Sequence, residues 1–594
     1  MFANPAILPR LAASGLFTDA DLYQARFAAS LARAGHEDMV AALTALTSLA
    51  VREGHVCLDL ADPQVIAHLT ELVPNASAMH DLPDSDVITD PKGQAPLILS
   101  GTRLYFSRFF NDEQTLAHTF LRLAQTPAEP LPPSLQADIF KTGRDEIDWQ
   151  AVACFAALRN RFCVISGGPG TGKTTTVARI LKMAARMHAG RDFVIRLAAP
   201  TGKAASRLTE ALATAFPGGT LPPELAACMN QGAQTVHRLL GWSAGGFRHN
   251  QGNRLALDML VVDEASMLDL ELTARLMEAL PEHARLVLLG DRNQLASVEA
   301  GAVLANLCRE EAVNAFSDRF AAAVAETCTI KLPVTQRPAP LADHVVELKK
   351  SYRFGPDSGI AALSELIRDG KAQEAAALLE ERHADLEMIH GTGPKALEAS
   401  VAPLLREAFG ELGGTNGPAR AFEIFAALRL LSPIRKGPRG TEALNRLAGQ
   451  ILVGQAFEAW YPGRPVMILE NDYNLGLFNG DVGIALSVDG QLRIFFPGAE
   501  GFTSFSPARL PRHETCYAMT VHKSQGSEFG HTVLVLPEEP CQVLGRELLY
   551  TALTRAKKRF TLLGTPRQVK DAVQNPARRD SGLGEMLAQR KTQA

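Results

Sequence analysis

The stretch ISGGPGTGKTTT carries the chemistry that is easiest to name. From Gly167 to Thr174 it satisfies G-x-x-x-x-G-K-[ST], a pattern suited to holding a polyphosphate. Glycines let the backbone fold into a nest of N–H donors, and a helix starting directly afterwards adds the positive end of its dipole. Gly167, Gly168, Pro169, Gly170, Thr171 and Gly172 would form the cradle, with Thr175 beside it. Lys173 would reach the β- and γ-phosphates, and Thr174 would hold Mg²⁺ through its hydroxyl, so ATP and Mg²⁺ are the expected ligands. A glycine loop can arise by chance, but about ninety residues later LDMLVVDEAS ends an apolar run on two carboxylates. There Asp263 can bind Mg²⁺ and Glu264 can polarise the attacking water. An isolated Asp-Glu pair is usually a solvated strand end. Placed after a phosphate loop and before LVLLGDRNQL, it completes a hydrolytic site. Phosphoryl transfer needs positioning and charge neutralisation, and Gln294 in GDRNQL, Arg353 in KKSYRF and Arg555 in LLYTALTRA supply a polar sensor and two cationic fingers.

These residues must be presented by parallel sheets. RFCVIS, DFVIRLAAP, LDMLVVDE and ARLVLLGD are buried-strand runs ending in polar residues, and helical segments separate them. The alternation predicts an α/β domain over 140–335, with helices on both faces of its sheet. A second such domain is expected over 336–460 and 511–594, with core strands in AFEIFAALRLLSPI, HTVLVLP and RFTLLGT. It is interrupted at 461–510 by PVMILENDYNLGLFNGDVGIALSVDGQLRIFFPG, whose period-two runs and Gly, Asn and Asp turns predict a small β-barrel. Residues 1–130 read as mainly helical, and the proline-rich TPAEPLPPSLQ at 126–136 marks their end. An insertion at about 240–258 holds a hairpin around Asn250 to Asn253.

Composition sets the outer bounds. A chain of 594 residues, 46% hydrophobic and 21% charged, has room for three or four globular domains. No apolar run approaches the ~18 residues of a membrane span, and a cytosolic protein is expected. The eight cysteines are scattered, without CxxC or histidines at metal-ligand spacing, which reads as free thiols in a reducing compartment. A net charge of −4 gives no basic footprint, so any nucleic-acid contact is a local channel or is shared with partners. A nuclease centre is not evident: Asp472 in NDYN is a loop residue without a carboxylate partner. Tyr23 and Tyr105 lack the histidine cluster that a relaxase nucleophile would need.

With the motifs in this order, residues from about 145 to 565 resemble the superfamily 1 helicases. The resemblance implies two RecA-like P-loop domains with ATP in their cleft and single-stranded DNA across their top. It implies that Gln150 in DWQAVACFAAL reads the adenine edge and that Glu528 lies near the ribose. Thr201 and Lys203 in AAPTGKAASRL would touch the DNA backbone, and His237 in TVHRLLG would lie near DNA. Thr520, His522 and Gln525 in AMTVHKSQGSEF would face DNA or couple to it. The continuation LASVEAGAVL after GDRNQ, together with VVDEASM, FNGDVG and HETCYAMTVHKSQGSEF, is similar to the RecD family, and GTRLYFSRFFNDE at 101–113 resembles that family's N-terminal domain, which docks on RecC. On this resemblance the insert is SH3-like, translocation runs 5′ to 3′, and the partners are RecB- and RecC-like subunits in a heterotrimer. Such a complex would act on single-stranded DNA and duplex ends in recombinational repair of double-strand breaks, with nuclease activity in a partner chain. A stand-alone RecD-like motor, or a subunit whose role is regulatory, remains the alternative. The hairpin would either split duplex strands or be a plain surface feature, and the insert would either line the DNA path or brace its domain.

Overall fold

The strands predicted from apolar runs are buried along their whole length: Phe162–Gly167, Met259–Val262 and Arg285–Gly290 expose nothing on either face. In the computed structural model they form a six-stranded parallel sheet in the order Val345–Leu348, Phe162–Gly167, Arg285–Gly290, Met259–Val262, Ile195–Ala199, Gln234–Thr235. Successive side chains on a strand point to opposite faces. Phe162, Val164, Leu260, Val262, Leu286 and Leu288 accordingly enter one core with Leu270, Ala274 and Leu276. Cys163, Ile165, Met259, Val261, Val287 and Leu289 enter the other with the helices Trp149–Arg159 and Lys173–Met187. The structure describes residues 5–589 apart from 74–86, 127–128, 141–145, 230, 327–329, 337, 416, 455–459, 473 and 499–500. Cys328 and part of the proline-rich stretch therefore lie outside the described residues.

The second domain repeats the plan with five parallel strands in the order Leu386–Ile389, Ala556–Leu563, Phe529–Val535, Leu428–Ser432, Ala518–Thr520. The insert is a five-stranded antiparallel sheet, Gly501–Phe505, Gln491–Gly498, Val482–Val488, Pro465–Ile468, His513–Thr515. Its own core contains Val466, Ile468, Ala485, Ile494, Phe496 and Phe505. Among the described residues its two edge strands do not pair with each other, so it stands as a sheet and not as the closed barrel expected.

Three boundaries and the make-up of the N-terminal region differ from those read in the sequence. Val345–Leu348 pairs with Phe162–Gly167, so the first domain runs past 336 to 348. His513–Thr515 pairs with Pro465–Ile468, which carries the insert beyond 510. The N-terminal region is not simply helical: beside Glu37–Arg52 it holds a four-stranded sheet built from Leu58–Asp59, Arg103–Phe106, Leu97–Ser100 and Ile88–Thr89. The chain after the helix Pro566–Gln574 stays on the second domain through Asn575 and Ala577, which bond to Arg546 and Glu547, and then leaves it. In the 240–258 insertion, Trp242–Ser243 pairs with Gly246–Phe247, and Asn250 bridges Asn253 with its side chain accepting from Gly252 N–H.

The departing tail is a strap across the N-terminal and first ATPase domains. Val56 N–H donates to Asp580 O at 2.8 Å, Arg578 meets Asp62, and Arg579 donates to the carbonyls of Ser297 and Glu299. Glu113, wholly buried on the helix Ser107–Gln125, accepts from Ser581 Oγ at 2.5 Å and from Gly582 N–H at 3.0 Å. Leu583 and Leu587 then join the first domain's core. Among the described residues no helix is long and apolar enough to cross a membrane and no metal-ligating cluster occurs.

Burial pushes the Glu113 carboxyl up to about 7, against the hydrogen bonds from the strap that lower it. A carboxyl raised in this way contributes stability that is complete below the ordinary carboxylate range and is lost as pH rises through about 7. Glu113→Gln cannot ionise. The fall in thermal midpoint between pH 5 and pH 8 should be smaller in this variant than in wild type, by the equivalent of roughly 1–3 kcal/mol; parallel curves would show that the Glu113 carboxyl ionises in the fold as it does in the unfolded chain.

Candidate nucleotide-binding cleft

The strand Phe162–Gly167 ends where the helix Lys173–Met187 is about to begin, and the turn between them depends on two glycines with left-handed backbones, Gly170 (φ 74°) and Gly172 (φ 81°). Both are also sites of close approach. A Cβ on Gly170 would lie 2.3 Å from Arg353 Cβ, and one on Gly172 would lie 2.2 Å from Gln150 Nε2. The Gln150 amide thus lies against the loop and donates to Thr171 O at 3.0 Å. Its helix, Trp149–Arg159, is capped by Asp148, which accepts from Gln150 N–H and Ala151 N–H. Lys173 Nζ lies back along the loop, donating to Gly167 O (2.5 Å) and Gly168 O (3.2 Å). Pro169, Thr171, Thr174 and Thr175 line the same cleft.

Strand Met259–Val262 delivers the two carboxylates to the cleft floor. Glu264 adopts a left-handed conformation (φ 52°), and its N–H donates to Asp263 Oδ1 at 2.9 Å. Burial and the charge of Glu264 push the Asp263 carboxyl above its usual range, while Glu264 N–H and Lys173 pull the other way. Two acids side by side, offset mainly by one ammonium, are under-compensated. With the Thr174 hydroxyl, next to Lys173 in sequence, lining the same cleft, this donor set fits a hard divalent cation such as Mg²⁺. Gln294 donates to Asp291 Oδ2 at 3.1 Å, and both side chains are buried.

Residues beyond the first sheet close the cleft, whose volume is about 1130 Å³. Arg353 Nη2 donates to Glu528 Oε1 at 2.5 Å, and Lys557 stands 3.8 Å from the same carboxylate. Burial pushes Glu528 up, but Arg353, with Arg207 and Arg555, more than offsets it and holds the carboxyl below its usual range. The second amino group of Arg353, Nη1, is buried without a hydrogen-bond partner. Arg555 is buried, donating from Nε to Thr551 O and from Nη1 to Ser527 O, both at 3.2 Å. Burial lowers its pKa against the opposing charges of Glu264, Glu528 and Asp291.

The residues read as DNA contacts are placed more variously. Thr201 caps the helix Gly202–Ala215, its hydroxyl accepting from Ala204 N–H. Solvent reaches Lys203, yet the surrounding walls, with Arg207 and Arg429, push its ammonium down to about 8. His237 is exposed beside the rings of Trp242 and Phe247, Thr520 accepts from Lys523 N–H, and burial with the nearby Arg579 lowers His522. Gln525 does not face outward. It is buried at the domain interface and donates to Leu295 O at 2.9 Å, because the turn His522–Ser524 aims its side chain toward the first domain.

Three residues were not singled out by sequence, Arg207 in the cleft wall and Tyr550 and Thr551 buried behind it. Arg207 donates to Gly526 O at 2.6 Å, Tyr550 OH donates to Asp291 Oδ2 at 3.1 Å, and Thr551 Oγ accepts from Leu295 N–H at 2.9 Å. Each lies within a quoted motif, but an arginine, a tyrosine or a threonine on a helix carries no spacing that announces a role.

Family models match three segments: an AAA domain at 150–300, a UvrD-like helicase C-terminal domain at 515–563 and the N-terminal domain of the RecBCD enzyme subunit RecD at 13–105. The RecBCD enzyme subunit RecD of Haemophilus influenzae is 37% identical, over 84% of this chain and 82% of its own; that of Mycolicibacterium smegmatis is 38% identical, over 91% and 92%. The ATP-dependent RecD2 DNA helicase of Deinococcus radiodurans is 30% identical, over 82% of this chain and 59% of its own length. A solved Pif1 helicase from Candida albicans superposes over 76% of this chain and all of its own, with 15% identity and a TM-score of 0.37. On the extent and identity of the first two matches, the chain belongs to the RecD family.

Proposed function

We propose that the chain is an ATP-driven DNA helicase of the RecD type that works 5′ to 3′ as the motor subunit of a RecBCD-like complex in double-strand break repair. The reading rests on one observation above the others: a phosphate loop, two carboxylates, a glutamine and two arginines from opposite sides of the fold share a single cleft.

In this reading Lys173 exchanges the carbonyls of Gly167 and Gly168 for β- and γ-phosphate oxygens, and Gln150 holds the adenine. Glu264 orients the attacking water, and Gln294 senses the γ-phosphate. Arg353 and Arg555 neutralise charge as it develops, so hydrolysis proceeds when the domains close. Mg²⁺ held by Thr174 and Asp263 would supply the remaining charge neutralisation on the phosphates. Thr201, Lys203, His237, Thr520 and His522 remain the candidate contacts to single-stranded DNA, whose grips would shift as the cleft opens and shuts.

Membership of a heterotrimer is supported by the near full-length match to RecD subunits and by the match of 13–105 to their N-terminal domain. RecB- and RecC-like partners would supply nuclease activity, the complex would engage duplex ends, and the setting would be cytoplasmic. The likeness to RecD2 favours a second reading, a motor active without partners.

Two measurements test the proposal. ATP hydrolysis by the wild type, alone and with RecB- and RecC-like partners, should be stimulated by single-stranded DNA and fall at least ~100-fold in Lys173→Gln, and 5′-tailed duplexes should be unwound in preference to 3′-tailed ones. Equal inertness of both proteins with partners present would leave a scaffold; activity of the chain alone would favour the stand-alone motor. In Asp263→Asn hydrolysis should likewise collapse, yet the ligand-free protein should melt higher, by about 1–2 kcal/mol of added stability, because an under-compensated negative charge is gone. A lower melting point would show that the carboxylate is structural.

A further inference from the structure

The segment that carries Gln294 belongs to the first domain in sequence, but key polar groups of it, at Asp291 and Leu295, are bonded from the other side of the cleft. Asp291, which orients Gln294 through the amide it accepts, also accepts from Tyr550 OH. At Leu295, immediately after Gln294, both backbone groups are bonded to side chains of the second domain: N–H to Thr551 Oγ at 2.9 Å and C=O to Gln525 Nε2 at 2.9 Å. Farther along the same loop, Arg579 of the strap donates to the carbonyl of Ser297. Buried backbone groups need partners, so separating the domains here costs hydrogen bonds that the loop cannot replace from its own domain.

Thr551 has a second attachment. Its carbonyl accepts from Arg555 Nε at 3.2 Å. One residue therefore holds the sensor loop by its side chain and a candidate finger by its backbone. All three second-domain side chains that grip the loop lie in segments without phosphate-binding chemistry of their own, on the helix Arg546–Leu553 or just after the turn His522–Ser524.

We propose that Thr551, with Tyr550 and Gln525, is the positioning device that makes Gln294 and Arg555 move as one unit, so that the γ-phosphate sensor is set by the second domain and not by the phosphate loop. This deepens the ATP-hydrolysis reading given above and rests on it. Thr551 touches no nucleotide in this scheme; it acts through the loop and the arginine. Removing its hydroxyl leaves Leu295 N–H buried without a partner and frees the loop to adjust independently of Arg555, while the surfaces that bind adenine and the β-phosphate stay as they are.

The test is steady-state ATP hydrolysis with saturating single-stranded DNA for wild type, Thr551→Val, Thr551→Ser and Tyr550→Phe, with Lys173→Gln as the inactive reference. Thr551→Val keeps the shape of the side chain and removes the acceptor. It should lower kcat roughly tenfold with KM for ATP changed by less than about threefold. Thr551→Ser should restore most of the rate, and Tyr550→Phe should lower kcat in the same sense by a smaller factor. Circular dichroism melting separates this from misfolding: a Thr551→Val protein melting within a few degrees of wild type but slow in kcat supports the device. A wild-type kcat in Thr551→Val, or a loss confined to KM, or no rescue by serine, overturns it. Should wild type hydrolyse no faster than Lys173→Gln, the motor reading itself falls and takes this device with it, a result distinct from a fast wild type with a fast Thr551→Val.

Discussion

Lys173, Arg207, Arg353 and Arg555 share one cleft, and each is met there by an oxygen of the chain. Lys173 lies on the carbonyls of Gly167 and Gly168, Arg353 on Glu528, Arg555 on the carbonyls of Thr551 and Ser527, and Arg207 on the carbonyl of Gly526. A site for a highly charged ligand must be stable both with and without it, since like charges left unpaired in a partly dry cleft would force it open. Acceptors from the chain itself, carbonyls for Lys173, Arg207 and Arg555 and the Glu528 carboxylate for Arg353, solve this by holding each cation in place in the cleft. The remainder of the architecture follows from the need to keep these donors and acceptors in reach. Parallel sheets bring the phosphate loop, the carboxylates and Gln294 to the same strand ends, and the second domain supplies the acceptors of all three arginines.

Electrostatics and backbone satisfaction pull together at the interface. Asp291 and Leu295 link the sensor loop to Tyr550, Thr551 and Gln525, while Arg207 links the helix carrying Thr201 and Lys203 to Gly526. Events at the phosphates and at the helix proposed to contact DNA thereby meet in a small set of hydrogen bonds, each short-ranged and directional. Such bonds are made or broken, not stretched, which suits a machine whose states are discrete.

Much of this was legible in the residue pattern. The phosphate loop, Asp263–Glu264 and the strands around them are local signals: a glycine loop between an apolar run and a helix, or an apolar run ending on acids, can be read without knowing the fold. The two sheets were legible for the same reason, since a strand covered on both faces is apolar throughout. What escaped depends on pairing at a distance. Val345–Leu348 carries no mark of joining the first sheet, nor His513–Thr515 of joining the insert, because strand partnership is not written in either segment. Gln525 read as a DNA contact because its motif gives the residue and not the direction of its side chain. The strap was invisible, being short, charged and without helical or strand period until Leu583, and nothing in the helical stretch around Glu113 marks that residue as its anchor.

The strap also changes how the second domain can move. A body joined to another by one flexible connection can rotate about any axis through it. Joined at two separated points, it keeps mainly the rotation about the line between them. The second domain leaves the first through the segment after Leu348 and returns to it through Arg578 to Leu583, which lie against Asp62, Val56 and Glu113. In the helicase reading, nucleotide-driven motion would be a hinge-like swing about the line joining these two attachments, instead of a wandering of one domain over the other.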